Sequence, residues 1–149
     1  MNLGELRKLI KCASPRIRSE PTIYAGCLES SILLTRILDK LNIPYQKAFG
    51  TVETSQGEQV HHCWLEVGDV VLETNPSQIL GLPVGALAME KSTWQELSKA
   101  KPEADIFPER FEPTPAGKQF YDKAAENIIR CYKSKEDKPK WVDSKGKNE

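Results

Sequence analysis

The chain has 149 residues, 28% of them charged and 39% hydrophobic, and its 21 basic residues are balanced by 21 acidic ones. That length accommodates one domain with a sizeable core. A formal net charge of zero argues against a dominant electrostatic partner such as nucleic acid or an anionic membrane. No apolar run approaches membrane-spanning length, and the opening Met-Asn-Leu-Gly-Glu-Leu-Arg carries no apolar signal region, so a cytosolic protein is expected. Cys12, Cys27, Cys63 and Cys131 form no CxxC pair and no zinc spacing. Thiols rather than disulfides are expected, with no metal and no cofactor.

In chain order, Leu3, Leu6, Leu9 and Ile10 predict a helix over residues 2–12, ended by Ser14-Pro15. Residues 13–25 read as irregular. Residues 27–41 are the clearest helix. Leu28, Ile32, Leu33, Leu34, Ile37, Leu38 and Leu41 give it a broad apolar surface, as expected of a helix largely buried. Glu29 in its first turn and Lys40 in its last suit the dipole. Asn42 is placed to cap its end, and Pro44 prevents continuation.

Residues 45–54 read as a strand. Gln59–Val67 and Val70–Asn75 read as a tight hairpin around Gly68-Asp69, with Gly at the first central position as a type II′ loop prefers. Connections this short predict a three-stranded antiparallel meander. Residues 76–91 read as a loop that packs down through Ile79, Leu80, Leu82 and Leu87. Ser92-Thr93-Trp94-Gln95 is a capping box opening a short helix to about Ala100. A Pro-rich coil covers 102–115. Thr114-Pro115 then starts a helix whose buried stripe is Phe120, Ala124, Ile128 and Cys131. One domain over residues 1–134 and a mobile, charged tail over 135–149 complete the reading, with Trp141-Val142 the one apolar pair in that tail.

The hairpin carries both histidines of the chain. Its turn fixes the register: Val67 opposes Val70, Trp64 opposes Glu73, and His62 opposes Asn75. Alternation along the strands puts His62, Trp64 and Glu66 on one face with Val71, Glu73 and Asn75. The other face, with His61, Cys63, Leu65, Val67, Val70 and Leu72, is mostly apolar.

An imidazole beside a carboxylate or amide lacks only a nucleophile. Cys27, at the start of the most apolar helix, is the candidate. A cysteine at a helix N-terminus sits among unpaired N–H groups and the positive end of the dipole, which favours the thiolate. The same N–H groups can receive the oxyanion of a tetrahedral intermediate; no residue is placed to complete an oxyanion hole, and Trp64 and Tyr24 are the only candidates for it. An imidazole in reach serves as base and then acid, and Glu73 or Asn75 orients it. His61, on the apolar face, is the rival base.

Gly26-Cys27 followed by Ser31, Leu34 and Leu38 resembles the opening of the catalytic helix of the transglutaminase-like superfamily. His62-Cys63-Trp64-Leu65-Glu66-Val67 resembles that superfamily's His-x-Trp-x-Glu strand. Leu72-Glu73-Thr74-Asn75 falls where those proteins carry an acid at the end of the next strand. The resemblance covers roughly residues 24–80. It departs from the pattern at Glu73, where the family acid is usually Asp, and Asn75 is the papain-like alternative for that position.

The resemblance implies an α+β fold, a buried helix carrying Cys27 packed on a small antiparallel sheet, with further helices toward the C-terminus. It implies a cysteine hydrolase or acyltransferase acting through a thioester on a peptide, protein or small amide or ester. Cys27, His62 and Glu73 would be its catalytic residues, with Asn75 or Trp64 supporting them. The small size and the Glu at position 73 also raise a second possibility, a non-catalytic adaptor on a degenerate scaffold of the same kind.

Overall fold

A computed structural model of the protein describes residues 1–20, 27–103 and 113–136. Among these residues the fold is α+β, with five helices and a five-stranded antiparallel sheet in the order β4-β3-β2-β1-β5. The helices are α1 (Leu3–Ser19), α2 (Cys27–Lys40), α3 (Pro76–Leu80), α4 (Lys91–Ser98) and α5 (Pro115–Glu136). The strands are β1 (Gln46–Glu53), β2 (Gln59–Val67), β3 (Val70–Glu73), β4 (Leu87–Glu90) and β5 (Lys101–Pro102). The expected meander β1-β2-β3 is thus the centre of a wider sheet, extended at both edges.

The hairpin forms in the expected register, with Val67 opposite Val70, Glu66 opposite Val71 and Leu65 opposite Leu72. Gly68 takes a left-handed φ of 58°, as the first central position of a two-residue loop requires. β3 ends at Glu73, so Asn75 lies outside the strand and instead precedes α3.

The sheet is covered on both faces. Cys63, Leu65, Val67, Val70 and Leu72 pack with apolar residues of α1, α2 and α5. Val52, Trp64 and Val71 pack with Ile79 of α3 and Trp94 of α4 on the other side. All of β3 is consequently buried, although a half-exposed sheet would expose alternate residues. α2 lies between the sheet and α5, which accounts for the burial of Ser30 through Thr35 as well as Ile37 and Leu38. Its end is a Schellman motif. Asn42 is left-handed, its N–H donates to the Asp39 carbonyl, and the Ile43 N–H donates to the Leu38 carbonyl.

Four expectations are corrected. First, α1 does not stop at Ser14-Pro15 but runs to Ser19 with Pro15 inside it. Pro15 removes one helical hydrogen bond, yet Ala13 and Ile17, both fully buried, hold the turns on either side. Ser14 also has a tertiary role, its hydroxyl accepting the Gly85 and Ala86 N–H groups. A Cβ at Gly85 would collide with the backbone of α1, so this contact needs glycine. Second, residues 76–91 are not all loop, since they contain α3 and β4.

Third, α4 starts at Lys91, after Glu90 and without a side-chain cap, so the Ser92–Gln95 capping box does not form. Glu90 already ends a strand paired to Val70, and that pairing sets where the helix begins. Fourth, the buried stripe of α5 is Ala124, Ala125, Ile128 and Tyr132, while Phe120 is exposed and Cys131 only partly buried. The helix start at Thr114-Pro115 holds, with the Thr114 hydroxyl accepting the Gly117 N–H. The remaining expectations for residues 21–26, 104–112 and 137–149, including Tyr24 and the tail with Trp141-Val142, lie outside the described residues. Among the described residues no helix is long and apolar enough to cross a membrane.

Candidate active site

The site assembles where α2 begins, against the end of the β2–β3 ladder. Cys27 is the first residue of α2. The last pair of the ladder is Leu65 with Leu72, so His62 lies beyond it on β2. Thr74 turns the chain away there, its hydroxyl donating to the Cys63 carbonyl. His62 is 1% exposed and Glu73 is fully buried.

The His62 ring is held through Nε2, which lies 2.9 Å from Glu73 Oε1 and 3.0 Å from Oε2. Glu73 is a satisfied carboxylate. It also accepts the Trp94 Nε1–H at 3.1 Å and the backbone N–H of Asn75. A buried carboxylate needs such donors to keep its charge. Nε2 being taken by Glu73, Nδ1 is the nitrogen left for Cys27, and His62 lies in hydrogen-bond reach of that thiol.

The electrostatics favour an ion pair. Burial disfavours an imidazolium at His62, but the charge of Glu73 and the hydrogen bonds to Cys27 and Glu73 outweigh it and raise its pKa from 6.5 to about 9. At Cys27 the largest influence is the hydrogen bond from the Cys63 thiol. Burial opposes it, the hydrogen bond and positive charge of His62 add to it, and the pKa falls from 9.0 to about 4. Cys63 moves the other way, pushed up first by its hydrogen bond to Cys27 and then by burial. Near neutral pH the site therefore holds a Cys27 thiolate beside a His62 imidazolium.

The residues singled out in the sequence separate clearly. Cys27, His62 and Glu73 come together. His61 does not: its ring stacks on Phe49 at a centroid distance of 5.6 Å and lies 3.5 Å from Glu103. The Asn75 side chain turns to Gln78 and Ser77 at the start of α3 and offers His62 nothing, while its backbone N–H serves Glu73. Trp64 is fully buried, with its ring 6.1 Å from that of His62 and 4.7 Å from that of Trp94. Its indole N–H donates to Glu66, which also binds Lys91, so it is not available to an oxyanion. The first turn of α2, which begins at Cys27, brings its backbone N–H groups beside that sulfur.

Two participants were missed. The sequence pattern assigns Trp94 to a capping box, yet it anchors Glu73 from the far face of the sheet. By alternation Cys63 belongs to the mostly apolar face of the hairpin, yet its sulfur lies 3.2 Å from that of Cys27. For Trp94 the sequence holds no signal, because the contact depends on how α4 docks. For Cys63 the signal was its place on the face that receives α2. Among the described residues no group of three or more His, Cys, Asp and Glu side chains is arranged to hold a metal ion.

Compared with models of known families, with curated proteins and with solved structures, the chain matches none.

Proposed function

We propose that the protein is a transglutaminase-like cysteine hydrolase or acyltransferase that works through a thioester at Cys27. The observation that carries this reading is the buried His62, tied through Nε2 to Glu73 and in hydrogen-bond reach of a thiol at the first residue of a helix. The Cys27 thiolate attacks an amide or ester carbonyl. The oxyanion meets the first-turn N–H groups of α2. The His62 imidazolium gives its proton to the leaving amine or alcohol, and the carbonyl closes to a thioester. His62, now neutral, takes a proton from water or from an acceptor amine, which resolves the thioester by hydrolysis or transfer. Glu73 keeps the ring in place and stabilises its charged form. The substrate is a peptide, a protein or a small amide or ester, and the cytosol suits the reading because the thiolate must stay reduced to act.

The Glu at position 73 is, with the small size of the chain, one of two features that favour an inert adaptor. Its extra methylene is accommodated, since both carboxylate oxygens approach Nε2 and a tryptophan and a backbone amide hold them there.

Alkylation with iodoacetamide at pH 7, followed residue by residue by mass spectrometry, tests the reading. Cys27 should react first, ahead of Cys12, Cys63 and Cys131, and His62→Ala should slow it by on the order of tenfold or more. His61→Ala should leave the rate unchanged. Equal rates at all four cysteines, or an effect of His61→Ala in place of His62→Ala, would refute the assignment.

A further inference from the structure

The acyl-transfer chemistry gives Cys63 no bond to make or break. Yet its sulfur lies 3.2 Å from that of Cys27, with the Cys63 thiol as donor. Cys63 is 4% exposed and partly fixed by Ser31, whose hydroxyl oxygen is 3.7 Å from the same sulfur. Cys27 is the more accessible of the two. The two sulfurs are not bonded in the structure, and closing them to a disulfide of about 2.05 Å needs an approach of roughly 1 Å. A buried thiol held against an accessible, ionised one is an arrangement for resolving an oxidised sulfur.

We propose that Cys27 and Cys63 form a hydroperoxide-reactive dithiol site, in which Cys27 is oxidised first and Cys63 resolves it to an intramolecular disulfide. The Cys27 thiolate attacks one oxygen of the hydroperoxide. The S–O bond forms as the O–O bond breaks, and the departing oxygen takes the proton of His62 and leaves as water or an alcohol. Cys27 is now a sulfenic acid, two electrons oxidised. Cys63 loses its proton and attacks the Cys27 sulfur. The S–S bond forms, the S–O bond breaks, and the hydroxide leaves with that proton as water. With hydrogen peroxide the balance is one peroxide and two thiols to one disulfide and two waters. The disulfide removes the nucleophile and protects it from the irreversible sulfinic and sulfonic acids until a dithiol reduces it.

This chemistry uses the same thiolate as acyl transfer but no acyl substrate, so either reading can fail without the other. The test exposes the reduced full chain to a small excess of hydrogen peroxide. Remaining thiols are then blocked, the chain is cleaved without reduction, and the peptides are weighed. A peptide pair joined through Cys27 and Cys63 is expected, together with loss of iodoacetamide reactivity at Cys27 that dithiothreitol restores. In Cys63→Ser the linked pair should vanish, and a dimedone adduct should mark sulfenic acid at Cys27. Wild-type protein in which Cys27 advances to sulfinic acid while Cys63 stays a thiol would overturn the proposal. So would peroxide-treated wild-type protein in which both thiols survive.

Discussion

Glu73→Gln should lower the reactivity of Cys27 toward substrate or alkylating agent by on the order of tenfold or more at neutral pH, because an orienting group acts through the base it holds. The substitution keeps the size of the side chain and removes its charge. His62 Nε2, the Trp94 indole N–H and the Asn75 backbone N–H all converge on the two carboxylate oxygens. Glutamine has one oxygen to accept them, and its NH₂ must face a donor in a fully buried position. That mismatch should cost roughly 2–4 kcal/mol of stability. The loss of charge has a separate signature, since the pKa of His62 should fall and the activity of any folded variant should decline at a lower pH than in the wild type. Asn75→Ala, which removes only contacts to Ser77 and Gln78, should leave Cys27 nearly as reactive as before. Steady-state rates and thermal melts of the two variants check this. A larger loss of reactivity in Asn75→Ala than in Glu73→Gln would move the orienting role to the amide.

The second large effect is on pH dependence. Alkylation of Cys27 should rise with an apparent midpoint near pH 4 and stay level through neutrality, since its thiolate persists down to that pH. Turnover, which also needs the His62 proton, should fall as pH passes about 9. Stability should follow the same groups. Between about pH 4 and 6.5 the folded chain lacks the Cys27 proton that the unfolded chain binds, so stability rises with pH. Between 6.5 and 9 the folded chain binds the His62 proton that the unfolded chain has lost, and this offsets the missing Cys27 proton, so the contribution of this pair is level. Above 9 the raised Cys63 retains a proton that the unfolded chain has lost, and stability falls. Denaturant titrations across this range should show the low-pH rise in the wild type and its loss in Cys27→Ser. An alkylation midpoint near 9 in the wild type would contradict the ion pair.

The parts of this arrangement that sequence made legible are those fixed by local pattern. α2 announces itself by its apolar width and ends at Lys40 with Asn42 left-handed, as its cap residue suggested. Gly68-Asp69 sets the hairpin register, and the register alone brings His62 and Glu73 to one neighbourhood. What stayed hidden depends on tertiary contact. Leu87-Ala88-Met89-Glu90 is made of good helix formers, yet it pairs with β3 as a strand because that edge offers a full ladder. Five residues of α3 are too few for periodicity to register. Pro15 marks a helix end by local rules, and the burial of Ile17 overrides it. Trp94 reaches Glu73 only because α4 docks on the face opposite α2, which no spacing in the chain encodes. The choice between Glu73 and Asn75 likewise depends on where β3 ends: one residue is its last, and the other precedes the next helix.

The most direct measurement of the central claim is the intact mass of the protein during reaction with a p-nitrophenyl ester at neutral pH, with the modified residue mapped by fragmentation. The ester should produce a burst of one acyl group per chain, carried by Cys27, released by hydroxylamine, slowed in His62→Ala and absent in Cys27→Ser. Acyl groups spread over lysines or on Cys131, or a Cys27 adduct that forms equally fast in His62→Ala, would contradict a nucleophile activated by His62 and Glu73.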